Sequence, residues 1–116
     1  MAKDRIHKFY DGQTFRDFMV ENAYVVINFT SRESIKTNDI NSVFTELSDY
    51  YPKVKFIQLV KEEILETFND EEVSEVPTFK FSINNDYPVV HTRIKSGDLF
   101  EKIRAFSKKA EADERY

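Results

Sequence analysis

Tyr24-Val25-Val26-Ile27-Asn28-Phe29 is an apolar run with a single polar interruption. Its shortness and β-branched content argue for a strand buried on both faces, as at the centre of a sheet covered by helices. The residues on either side carry a different period. Upstream, Phe15, Phe18 and Met19 sit at i, i+3 and i+4, which predicts one face of a helix with Thr14 as N-cap and Asn22 as its stop. Downstream, Ile40, Val43, Phe44, Leu47 and Tyr51 repeat at helical spacing and run into Pro52, which cannot continue a helix.

Further out, residues 6–10 alternate weakly as a short first strand, and Val54-Lys55-Phe56-Ile57-Gln58-Leu59 reads as another. Ile64, Leu65 and Phe68 suit a short helix. Thr78-Phe79-Lys80-Phe81-Ser82 alternates strictly and predicts a half-buried strand with Phe79 and Phe81 on one face. Asn84-Asn85-Asp86 is turn chemistry, because these side chains tolerate positive φ, so residues 87–94 return as a hairpin partner. Ser96 is the N-cap candidate of a last helix that turns Leu99, Ile103 and Phe106 inward and carries Lys108 and Lys109 at its C-terminal dipole. The order β-α-β-α-β-α-β-β-α, with right-handed crossovers, implies an α/β fold: a mixed central sheet of about five strands flanked by four helices.

The composition agrees. A chain of 116 residues supports one domain, with its core expected over about 6–106 and residues 107–116 as a charged, frayed tail. Eleven Phe and six Tyr supply the core of a small domain, and the 41% hydrophobic and 33% charged content is globular. Seventeen Lys and Arg stand against 21 Asp and Glu, so nothing in the charge seeks nucleic acid or an anionic membrane. Apolar runs are too short to span a bilayer, and no secretory leader is visible at the start. The chain has no cysteine, which excludes disulfides, thiolate metal sites and thiol catalysis.

Three stretches together resemble the thioredoxin family, over about residues 6–106. Tyr24 to Phe29 is similar to the family's central strand, VVxDF; Tyr51-Pro52-Lys53-Val54-Lys55-Phe56 to its YPxVxF; and Val76-Pro77-Thr78-Phe79 to its VPTF, whose proline is cis. The resemblance implies a thioredoxin-like fold. The same register places the family's WCGPC motif on Glu33-Ser34-Ile35-Lys36-Thr37, so Ser34 and Thr37 stand where the redox cysteines would be. Hydroxyls cannot perform disulfide exchange, which needs a thiolate and a sulfur leaving group. The family's buried acid falls on Asn28, whose carboxamide does not titrate. Its tryptophans fall on Thr30 and Glu33, its helix-kinking proline on Ser42 and a glycine beside the groove on Arg93. Such concerted replacement fits a natural non-catalytic branch better than cysteine-free engineering.

Ser34 reads first as a helix cap. Its enzymatic alternative is a glutathione-binding transferase-like activity using that hydroxyl, although the second-substrate domain of such enzymes is missing here. His7 and His91 lie on separate strands without metal-ligand spacing, so neither a metal nor a cofactor is expected. In thioredoxin-like proteins the residue before the cis-proline pairs its backbone with an extended peptide, a β-addition that needs no cysteine. That implies a partner-binding groove at Val76, Pro77 and Thr78, with Ile35 as apolar anchor and Lys36 and Arg93 as charge selectors. The expectation is a redox-inactive protein-interaction module, an adaptor or subunit in the cytoplasm or nucleus, with protein partners and homo-oligomerisation left open. A non-specific holdase chaperone is the other alternative.

Overall fold

A computed structural model describes residues 5–113 of the chain. The elements are β1 (Ile6–Lys8), α1 (Gly12–Glu21), β2 (Tyr24–Thr30), α2 (Arg32–Thr37), α3 (Ile40–Leu47), β3 (Lys55–Val60), α4 (Leu65–Asp70), β4 (Thr78–Ile83), β5 (Asp86–Thr92) and α5 (Ser96–Ala112). They form one five-stranded sheet in the order β1-β3-β2-β4-β5. β1, β3 and β2 are parallel, and β4 and β5 add antiparallel.

All seven residues of β2 are buried, as its apolar run predicts. Because strand side chains alternate, β2 divides its residues between two cores. Tyr24 and Val26 join Phe44, Phe56, Phe79, Phe81, Leu99 and Ile103 under α3 and α5. Val25, Ile27 and Phe29 join Phe15, Met19, Ile57, Leu59 and Phe68 under α1 and α4. The hairpin closes with Ile83 paired to Asp86, and Asn84 and Asn85 both take positive φ, 52° and 65°.

Several expectations are corrected. α1 is capped by Asp11, one turn earlier than expected: its carboxylate accepts the Thr14 N–H at 2.9 Å and the Thr14 hydroxyl at 2.8 Å. Thr14 was misassigned because a hydroxyl in the first turn resembles a cap in sequence while acting here as a donor to the real one. The last helix begins at Ser96 itself, with Lys95 in the cap position and no side-chain cap. Its buried face continues past residue 106 through Ser107 to Ala110, and Tyr24 Oη donates to Asp113 at 2.8 Å, so the core extends into the expected tail. The rest of that tail, residues 114–116, lies outside the described residues.

The helix after β2 is two helices, making five in place of four, and α3 ends at Leu47 short of Tyr51. β4 is buried along nearly its whole length, not half-buried, because Lys80 on its second face finds partners inside the protein. No described helix is long and apolar enough to cross a membrane.

Candidate functional site

Two segments flank β2 and β4 at the end of the sheet where the resemblance locates chemistry. The first follows β2. Ser31 accepts the Ser34 N–H on its hydroxyl at 3.0 Å and caps α2. Ser34 is therefore inside the first turn and not at the cap, a correction of the sequence reading. Its side chain is buried, 7% exposed, and its Oγ accepts from Asn41 Nδ2 at 3.2 Å. Thr37 points outward and donates to the Glu33 carbonyl at 2.9 Å, an ordinary back-bond within a helix.

Asn41 holds this segment together. Its Nδ2 group is shared among the Ser34 carbonyl at 3.0 Å, the Asn38 carbonyl at 2.9 Å and Ser34 Oγ. Its Oδ1 accepts from Asn28 Nδ2 at 2.9 Å. These two carbonyls also accept the Asn38 and Asn41 backbone N–H groups, at 2.8 and 3.2 Å, so the amide adds a second bond to each where α2 gives way to α3. Asn28 is fully buried; its amide is paired and its Oδ1 has no partner among the described residues. No group in this chain Asn28–Asn41–Ser34 titrates near neutral pH, and none is a nucleophile with an adjacent base. Asn41 was missed in the sequence; the only signal for it is an amide on the otherwise apolar stripe of Ile40 and Phe44.

The second segment precedes β4. The peptide bond between Val76 and Pro77 is cis. Thr78 is buried and its hydroxyl donates to the Glu75 carbonyl at 2.7 Å, folding residues 75–78 tightly. Val76 turns its half-buried side chain to the core under α1 and α4. Among the described residues neither the N–H nor the C=O of Val76 has a hydrogen-bond partner. Arg93, at positive φ of 56°, reaches across from the end of β5 and donates Nε to Glu75 Oε1 at 3.1 Å, with its Nη2 3.0 Å from the same oxygen. Its side chain is 82% exposed, so the pair contributes little to stability but sets a charge pattern beside Val76.

Beneath this loop lies Lys80. Its ammonium donates to the Glu71 carbonyl at 2.6 Å, lies 3.6 Å from the Glu71 carboxylate and sits over the rings of Tyr87 and Phe29 at 4.8 and 5.4 Å. Burial first, and then the neighbouring Glu71 carboxylate, hold the Tyr87 hydroxyl protonated well above the usual phenol range. Lys80 was read in sequence only as an outward residue of an alternating strand.

The predicted partner-binding residues come from two segments, the one after β2 and the one before β4. Val76, Pro77, Thr78 and Arg93 cluster at the start of β4, where Thr78 pairs with Thr92. Ile35, 40% exposed, lines a cleft with Asn41, Ser42, Thr45, Glu46 and Gln58. Lys36 is exposed on α2, and no described ion pair engages it. His7 and His91 stand on β1 and β5, the two edges of the sheet, and no group of three or more ligand-type residues among the described residues gathers to hold a metal.

No protein-family model matches the chain, and no curated protein matches it in sequence. Solved structures do match. A thioredoxin from Trypanosoma brucei brucei superposes with a TM-score of 0.79 at 22% identity, over 92% of this chain and 96% of that one. The thioredoxin of Malassezia sympodialis gives 0.80 at 20% identity, over 92% and 95%. That of Plasmodium falciparum gives 0.78 at 21%, over 84% and 96%. The likeness is one of fold: this is a thioredoxin-like fold built without a cysteine.

Proposed function

We propose that this cysteine-free thioredoxin-like domain is a redox-inactive protein-interaction module that takes an extended segment of a protein partner along Val76. Thiol–disulfide exchange through its own residues is closed to it, because the chain contains no sulfur nucleophile. The observation that carries the reading is the backbone of Val76, whose donor and acceptor both stand unpaired beside an otherwise well-bonded turn. A partner strand laid against it gains two main-chain hydrogen bonds and finds a shaped, pre-fixed edge, so little ordering cost falls on this side of the contact. Glu75 and Arg93 flank the position with opposite charges, which favours a segment that presents complementary charges in the matching order.

Ile35, exposed on α2, and Lys36 beside it enter this reading as further contacts for the partner. The assembly is proposed to be cytoplasmic or nuclear, with this domain as adaptor or subunit.

The test is affinity capture from native extract with wild type, Arg93→Glu and Ile35→Asp, followed by amide shift mapping of whichever partner is recovered. Circular dichroism first establishes that each variant folds. The reading expects a discrete partner that is lost with Arg93→Glu, weakened with Ile35→Asp, and that perturbs the amides of residues 75–78. A partner that survives Arg93→Glu and maps to another face overturns it.

A further inference from the structure

The edge of the sheet away from β4 and β5 carries an arrangement that the docking reading does not use. Ile6 pairs with Phe56 and His7 with Ile57, so one residue earlier Arg5 and Lys55 run side by side across parallel strands. Arg5 and His7, two apart, and Lys55 therefore share a face. Together with Ile6, Pro52 and Val54 they line a cleft of about 310 Å³. Like charges placed directly across a strand pair repel, and a protein normally answers them with a carboxylate. Here none of the described ion pairs includes Arg5, His7 or Lys55, although the chain as a whole has more acids than bases.

The backbone at Arg5 and Lys55 and the ring of His7 are held in place. Arg5 donates its backbone N–H to Ser48 Oγ at 3.1 Å, which fixes where the chain enters β1. The His7 ring lies tilted against Phe18 with centroids 4.7 Å apart, which fixes the imidazole plane. Lys55 is set by its place at the start of β3, paired to Val25. Burial and then the Lys55 charge hold the His7 pKa below its ordinary value, and a bound anion would oppose the Lys55 contribution.

We infer that this cleft is a binding site for a small phosphoryl dianion, with the Arg5 guanidinium, the Lys55 ammonium and the His7 imidazole as its donors and Pro52 and Val54 as its apolar wall. A guanidinium fork and an ammonium offered from two adjacent strands match the several oxygens of a tetrahedral dianion better than a single carboxylate or a halide. Binding relieves the cross-strand repulsion as it forms, and requires no rearrangement of the backbone.

Inorganic phosphate is the probe, titrated into the full chain at constant pH and ionic strength, with chloride as the matched control and amide and imidazole resonances as the readout. The expected result is saturable shifts confined to residues 5–8 and 52–56, with the His7 imidazole titrating at higher pH in phosphate than in chloride. Lys55→Glu should weaken binding by at least about tenfold, since a charged hydrogen bond is replaced by repulsion. Lys108→Glu, which changes the same net charge on exposed α5, should leave it unchanged. Shifts that fail to saturate, that spread over the surface, or that fall equally with Lys55→Glu and Lys108→Glu overturn the site. If Lys55→Glu fails to fold, Arg5→Gln replaces it, with the same expected and overturning results.

Discussion

Residues 31–41 and residues 71–78 both abut the central strand pair and both bury polar side chains, but by different means. The first segment is closed on itself: amides and hydroxyls of Asn28, Ser31, Ser34 and Asn41 satisfy one another and the carbonyls of a broken helix. The second is held from below by an ion pair and two rings, while the backbone at its tip stays open. Apart from the buried Asn28 Oδ1, the side chains of that network are engaged with one another, so it fixes a shape and offers a partner little. A loop anchored through Lys80 keeps its outer main chain free, so the second segment is the one suited to recognition.

That contrast can be broken most forcefully at Lys80. Lys80→Ala leaves Glu71 without its cation at a site where the two side chains are only 11% and 21% exposed. The expected loss is about 3 kcal/mol, read as a lower urea midpoint. Hydrogen exchange should rise first over residues 71–77. Unchanged exchange there would mean that Lys80 does not anchor the loop. Next, Asn41→Ala removes the partner of the Asn28 amide and of Ser34 Oγ at once, for an expected loss of about 2 kcal/mol. A double-mutant cycle with Asn28→Ala should give a coupling of at least about 0.5 kcal/mol. Additivity would show that the network is two separate contacts.

Smaller effects sharpen the picture. Ser31→Ala should cost about 1 kcal/mol, as removal of an N-cap does, whereas Ser34→Ala should cost less if Ser34 is not the cap. Ser34→Cys and Thr37→Cys, made singly, should react with a thiol reagent at rates differing by at least about tenfold, the buried position being slower. Equal rates would mean that α2 opens freely.

The smallest effect is that of pH. Burial depresses the pKa of both His7 and His91 below the ordinary 6.5, so the folded chain prefers neutral imidazoles. On acidification the unfolded chain takes up protons first, and stability present above that value is lost as pH falls through it. The fall should be measured in chloride buffer. His7→Gln should reduce it, and phosphate should reduce it further in wild type than in Lys55→Glu.

Much of this was legible in the chain. The apolar run of β2 announced burial on both faces, and Asn84-Asn85 announced a turn with positive φ, because in each case the residues themselves carry the constraint. Helix α2 was not legible. Ser31-Arg32-Glu33-Ser34 has no apolar repeat, and its helical state rests on a cap bond and on an amide contributed from α3. The same holds for Lys80, whose burial depends on Glu71 nine residues earlier in sequence and on a ring from the facing strand.

The sequence by itself determined the alternation of strands and helices, the burial of β2 on both faces and the loss of thiol chemistry. Each follows from residue type and spacing along one short stretch. Only the tertiary structure decided that Ser34 is buried under Asn41, that Arg93 reaches Glu75, and that Arg5, His7 and Lys55 line one cleft. Those are relations between residues far apart in the chain, fixed by strand order and register, and a local pattern contains no record of either.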